Sequence, residues 1–246
     1  MLFRSAVNIL ETKGLTKSYG GVHSNTDVDF VLPRNKIAAL IGPNGAGKST
    51  FVGMVSGRTL PTRGTVHFEG QDISGLPAHK RMQLGMAYTF QITSIFPGLS
   101  VEDNVSLAAG RKLAHDKAAH AAKTAAVLEK IGLSDRIDQI ASDLSYGHRR
   151  VLEIALGLAQ DPKLFILDEP TQGLAEGEVD AFVALMRGLA KDTTILLIEH
   201  NMRVVADTAD HVTVLDQGRL LASGSFDEVQ ANTAVQSAYL GTPANV

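Results

Sequence analysis

The sequence contains no cysteine, which removes disulfides and thiolate metal sites from consideration. That absence fits a reducing compartment. No apolar run approaches the roughly 18 residues that a membrane-crossing helix requires, so the chain is expected to be soluble and to meet any membrane through a partner. The opening stretch "MLFRSAVNIL" lacks a long apolar core followed by a small-residue cleavage site, so a secretory signal is not expected. A surplus of positive charge is also missing. The 23 Lys and Arg against 26 Asp and Glu leave a formal net charge of −3, which argues against a protein that holds nucleic acid by its phosphates. No internal repeat, low-complexity tract or obvious interdomain linker is present.

What remains is the composition of an ordinary folded globule, with 44% hydrophobic and 20% charged residues. At 246 residues the chain is long enough for one large α/β domain with an inserted subdomain. β-branched apolar runs alternate with helical stretches, the mark of a parallel sheet covered on both faces. "KIAALIG" (36–42), "GMAYTFQ" (85–91), "KLFILDEP" (163–170), "TTILLIEH" (193–200) and "HVTVLDQG" (211–218) read as strands. "KSTFVGMVSG" (48–57) reads as a helix with Gly57 near its end. "GTVHFEGQDI" (64–73) reads as a small hairpin and "GRLLASG" (218–224) as a late hairpin arm. Between about 97 and 160 the pattern turns helical. Within it, "AHDKAAHAAKTAAVLEKIG" (114–132) is a strong helix former. Its His115 and His120 are five residues apart, the wrong spacing for two metal ligands on one helix face.

"GPNGAGKST" fits the pattern G-x-x-x-x-G-K-[ST] with Gly42, Gly47, Lys48 and Ser49, and it links a predicted strand to a predicted helix, as a phosphate-binding loop must. Glycines let consecutive backbone N–H groups of Gly42, Pro43, Asn44, Gly45, Ala46 and Gly47 curl around anionic oxygens, proline excepted as a donor. The helix start adds about half a positive charge. Lys48 is expected to reach the β- and γ-phosphates, Ser49 to ligate Mg²⁺ and Thr50 to donate to the α-phosphate. The alternative is a bare glycine-rich turn.

"LFILDEP" carries Asp168 to a strand end, where a carboxylate can hold Mg²⁺, and Glu169 follows, placed to orient and deprotonate an attacking water. Taken alone, an Asp-Glu pair there is equally a loop start with helix-capping duty. "TILLIEH" ends in His200, which can bond a γ-phosphate or can be a polar strand terminus. Gln91 closes the strand "MAYTF"; its amide can reach Mg²⁺ or the attacking water, or be loop polarity. Tyr19, before a glycine pair, offers a face to adenine or simply packs. "LSYGHRR" (144–150) places Ser145 and Gly147 at the start of an amphipathic helix.

In this order the chain resembles the ATP-binding subunits of ABC transporters, from about Ile9 to Gly241. The resemblance implies an α/β P-loop NTPase fold: a RecA-like core with a mostly parallel sheet, a small antiparallel β part and a helical subdomain inserted at about 93–160, the whole chain being one nucleotide-binding domain. It implies ATP hydrolysis with Mg²⁺. Tyr19 is similar to the adenine-stacking residue, Gly42–Thr50 to the Walker A loop, Gln91 to the Q-loop, Ser145–His148 to the signature, Asp168 and Glu169 to the Walker B aspartate and catalytic glutamate, and His200 to the switch histidine. Ser145 and Gly147 would then face the phosphate held by a second ATPase subunit. Three letters depart from the family pattern: Tyr146 and His148 replace glycine and glutamine in the signature, and Ala175 stands where an aspartate is common. These departures fit a heterodimer whose other subunit carries the usual letters.

"YTFQITSIFPGLSVEDNV", "TTILLIEHNMRVV" and the ending "AYLG" look like the ATPases of branched-chain and hydrophobic amino acid importers. That likeness implies membrane permease subunits, an extracytoplasmic solute-binding protein and a peripheral place on the cytoplasmic face of the membrane. Ile95, Phe96 and Leu99 then either line a groove for the permease or belong to the local core. Other readings are a lipopolysaccharide-extracting ATPase, a soluble ABC protein of translation or repair, and a P-loop kinase.

Overall fold

The computed structural model describes residues 8–89, 95–113 and 116–240. Two long antiparallel arms, β1 (Asn8–Tyr19) and β2 (Val22–Pro33), open the chain. β3 (Ile37–Ile41) leads into α1 (Lys48–Ser56), then the hairpin β4 (Arg63–Phe68) and β5 (Gln71–Asp72), α2 (Ala78–Leu84) and β6 (Met86–Thr89). A helical block follows: α3 (Val101–Leu113), α4 (Lys117–Lys130) and α5 (Tyr146–Leu158), with 3₁₀ turns at Ser134–Arg136 and Ala141–Asp143. The chain then returns through β7 (Leu164–Asp168), α6 (Glu176–Leu189), β8 (Thr194–Ile198), α7 (Met202–Thr208), β9 (His211–Asp216) and β10 (Arg219–Gly224), closing with α8 (Phe226–Gln230) and α9 (Thr233–Leu240).

Two sheets form. The larger has the order β10-β9-β3-β8-β7-β6, parallel except for the edge strand β10. Every residue of β3, β7 and β8 is buried, and all but Thr194 and Asp168 are apolar, as strands covered on both faces require. The smaller sheet, β2-β1-β4-β5, is antiparallel. Its first two strands are not legible in the sequence, because register shifts after Asn8, Thr12, Leu15 and Lys17 break the two-residue alternation. α2 is likewise too short to leave a periodic signal.

The register matters for function. Leu40 of β3 and Asp168 of β7 both pair with Ile198 of β8. The loops leaving β3, β7 and β8 therefore start at one level on one edge, the carboxyl end of a parallel sheet, where α/β proteins place their ligands. One core layer packs α1 between the two sheets, around Phe51, Leu40 and Ile166, with Phe30 edge-on to Phe51 at 5.4 Å between ring centroids. A second layer joins the helical block and α6 to the other face of the sheet through Leu152, Phe165 and Phe182.

Candidate active site

The loop between β3 and α1 is shaped by its glycines. Gly42 adopts φ +150°, and a Cβ there would run into the Leu215 carbonyl oxygen. Gly47 adopts φ +96°, and a Cβ would lie 2.6 Å from the Ser24 carbonyl and 2.8 Å from the Asn25 amide. No other residue type fits either place without moving backbone. Ser24 also donates its hydroxyl to Thr50 Oγ1 at 2.8 Å, so β2 braces the first turn of α1. Lys48 lies along the loop and donates to the carbonyls of Gly42 at 2.6 Å and Pro43 at 3.1 Å. Burial pulls the Lys48 pKa down, while the carboxylates of Glu169 and Asp168 push it up. The lysine is thus within the field of both acidic residues contributed by β7.

Asp168 is buried, and its Oδ2 accepts the Tyr88 hydroxyl at 2.6 Å. Glu169 takes up a left-handed conformation, φ +48°, while its N–H donates to the Ile198 carbonyl at 2.9 Å. Consecutive strand residues point to opposite sides; this turn is how both carboxylates come to one side. His200 lies at the end of β8, with Nδ1 3.9 Å from Glu169 Oε1. Lys48, Asp168, Glu169 and His200 therefore converge. Their spacing in the chain is wide, and parallel register alone closes it.

The remaining predicted residues are placed as follows. Tyr19 ends β1, half exposed, with the Lys17 ammonium 5.0 Å from its ring centre. Gln91 lies outside the described residues, as does His115. His120 Nε2 donates to the Ser106 carbonyl oxygen at 2.7 Å, tying α4 to α3. Ser145 caps α5, with its Oγ accepting the His148 N–H at 3.2 Å. Gly147 faces Glu178, whose carboxylate leaves no room for a Cβ and accepts the Ala175 N–H at 2.9 Å. Tyr146 turns away from Ser145 toward the loop after β7, donating to the Gln172 carbonyl at 2.9 Å. So the signature stretch is tied to the loop carrying Ala175, and among the described residues its side-chain hydrogen bonds do not reach Gly42–Thr50 of the same chain. Ile95 packs against the core and Phe96 stands 54% exposed.

A family profile described as "ABC transporter" matches residues 25–172, more than half of the chain. The chain belongs to the ABC transporter family. Like the rest of that family's ATP-binding domains it is a nucleotide-binding ATPase. A second profile, "Branched-chain amino acid ATP-binding cassette transporter", matches residues 219–245 of this ABC cassette. It is 35% identical to the high-affinity branched-chain amino acid transport ATP-binding protein BraF of Pseudomonas aeruginosa, over 95% of this chain and 98% of that one. It is also 35% identical to the corresponding LivG protein of Escherichia coli, with the same coverage. Among solved structures, a nucleotide-free ATP-binding cassette from an ABC transporter matches with a TM-score of 0.85 at 27% identity, covering 95% of this chain and 99% of that one. Among the described residues of the cassette, no helix is long and apolar enough to cross a membrane.

Three residues around the site escaped the sequence reading. Tyr88 carries the hydroxyl that holds Asp168, and the Arg58 guanidinium stacks on its ring at 4.2 Å and donates to its oxygen at 2.9 Å. Glu199, buried, accepts from Thr171 N and Oγ1 at 3.1 and 2.6 Å and from the His200 and Asn201 N–H groups at 3.1 and 3.2 Å. It binds the loop that follows Glu169 to the loop that carries His200. A carboxylate as the last letter before His200 was the available signal. Tyr239 of α9 lies beside the backbone of Gly42; burial pushes its hydroxyl up to about 12, so the segment matching the amino acid transporter profile touches the loop between β3 and α1.

Proposed function

We propose that this cassette is the ATPase subunit of a membrane importer for branched-chain or other hydrophobic amino acids. It works from the cytoplasmic face beside permease subunits, a second ATPase subunit and an extracytoplasmic solute-binding protein. The whole chain acts as one nucleotide-binding domain, with the helical block at about 93–160 as its inserted subdomain. The match of residues 219–245 to the branched-chain amino acid profile carries the cargo assignment, and the convergence of Lys48, Asp168, Glu169 and His200 carries the chemistry.

Residues Gly42, Pro43, Asn44, Gly45, Ala46, Gly47, Lys48, Ser49 and Thr50 hold the triphosphate, and Tyr19 stacks on adenine. Lys48 neutralises β- and γ-oxygens. Glu169 takes the proton of the attacking water as its oxygen bonds the γ-phosphorus and the bond to the β-bridging oxygen breaks. ADP and phosphate leave. His200, next to Glu169, contacts the γ-phosphate. Ser49, Asp168 and Gln91 offer hard oxygen donors, which suit Mg²⁺. When bound, that ion offsets the charge of the β- and γ-phosphates. Ser145 and Gly147 complete the site of the facing subunit, and Ala175 suits pairing with a different ATPase subunit.

The test uses the chain purified with the subunits that accompany it from its native membrane. Glu169→Gln should retain ATP and lose hydrolysis by at least about 10²-fold, and Lys48→Ala should weaken both. Reconstituted vesicles should take up leucine, isoleucine or valine only with ATP inside the compartment facing this subunit. Turnover unchanged in Glu169→Gln removes the assigned base, and ATP-driven uptake of an unrelated solute removes the cargo.

A further inference from the structure

His148 stands where the family pattern has glutamine, and its ring touches the serine beside it: Nδ1 lies 2.9 Å from Ser145 Oγ. That oxygen already accepts the His148 backbone N–H at 3.2 Å. A hydroxyl has one hydrogen and two lone pairs. In the neutral ring that carries its hydrogen on Nε2, Nδ1 is bare, the hydroxyl hydrogen points into the ring and nothing remains to donate outward. With a protonated Nδ1, the ring donates instead, both lone pairs of Ser145 are filled, and its hydrogen is released. Ser145 is exposed at the start of α5, so a released hydrogen points to whatever the helix start faces.

We propose that His148 is a proton-operated positioning residue that decides whether Ser145 can donate to the γ-phosphate held by the facing subunit. The proposal rests on the reading that Ser145 faces that phosphate. Protonation also adds a positive charge at the positive end of α5. Imidazole is the side chain that changes charge between about pH 5 and 8. A proton added to the His148 ring therefore favours closure over ATP, and its loss disfavours closure.

Other charges around the ring are accounted for. Arg150 and Glu178 line the same cavity, between α5, α6 and the turn at Ile131–Leu133, and that turn brings no charged side chain. Arg150 is engaged by Glu153 at 2.9 Å, and Glu178 is engaged by the Ala175 N–H. Arg149 and Asp143 are the neighbouring charges in the chain itself.

The experiment compares wild type, His148→Gln and Ser145→Ala, each purified with its native partner subunits, from pH 5.5 to 8. The ratio of wild-type to His148→Gln ATPase rates cancels the titration of groups common to both. It should rise about three- to tenfold between pH 8 and pH 6, the worth of one hydrogen bond. Nitrogen NMR of the wild-type chain should show the Nδ1 resonance of His148 titrating, with a midpoint that moves in Ser145→Ala. A flat ratio, with Ser145→Ala still impaired at every pH, overturns the switch and leaves the facing-subunit reading intact. A Ser145→Ala protein with full activity overturns that reading, and the switch with it.

Discussion

The Tyr88 hydroxyl donates to Asp168 Oδ2 at 2.6 Å from the strand next door. Tyr88 pairs with Ile166 in the parallel ladder of β6 and β7, so its side chain reaches the carboxylate two residues further on. Burial above all, then the Asp168 carboxylate, push the phenol pKa upward. The phenol remains a donor throughout the working pH range and fixes one oxygen of Asp168.

Replacing Tyr88 with phenylalanine keeps the ring against Arg58 and deletes this donor. The variant should lose about 2 kcal/mol, typical of a hydrogen bond to a charged group, and melt about 4–8 °C lower for a chain of this size. It should also need more Mg²⁺ for half-maximal nucleotide binding, as read by calorimetry of nucleotide at graded Mg²⁺. An unaltered Mg²⁺ requirement would show that the bond serves stability alone.

Glu199 touches neither the phosphate loop nor the acidic pair, yet Glu199→Ala should impair turnover. The change strands four donors, from Thr171, His200 and Asn201, at a cost of about 3 kcal/mol or more. Glu199→Gln keeps one acceptor oxygen for one pair of donors but turns an NH2 group toward the other pair, so it should recover only part of the stability and of the rate. Denaturant melts alongside single-turnover hydrolysis would separate the two effects.

Arg81 is fully buried although charged. Its guanidinium donates to the carbonyls of Met54 and Val55 at 2.7 Å each, Leu76 at 2.9 Å and Ser74 at 3.0 Å. It closes the end of α1, where carbonyls lack partners within the helix. Burial lowers its pKa to about 10, so it stays charged at neutral pH. Arg81→Met should cost about 3–5 kcal/mol, with the loss visible in a thermal melt even in saturating ATP.

Gly157 of α5 allows the Phe165 ring of β7 to pass where a Cβ would stand. Gly157→Ala should destabilise by about 1–3 kcal/mol through overpacking. Because the contact joins the helical block to the strand ending in Asp168, hydrolysis should fall more than ATP affinity does. Equal losses in both would indicate unfolding rather than misalignment.

The local conformations legible in the chain alone are those whose parts are adjacent in it. "GPNGAGKST" contains its own turn, its own helix start and its own lysine, and β3, β7 and β8 announce burial by being apolar at every position but Asp168 and Thr194. The arms β1 and β2 were silent because bulges erased their alternation. α2 and the roles of Tyr88, Glu199 and Arg81 were silent because each is defined by a partner elsewhere in the chain.

The amino-acid order by itself determined the glycine turn from β3 into α1, the buried strands and the letters at their ends, since backbone conformation and burial depend on near neighbours. Tertiary structure alone decided that Leu40 and Asp168 would share a level through Ile198. It also decided that Tyr88 would hold Asp168 and that Glu199 would join two loops. Those relations depend on strand order and parallel register, which arise when distant segments bury their apolar faces together and which no local pattern encodes.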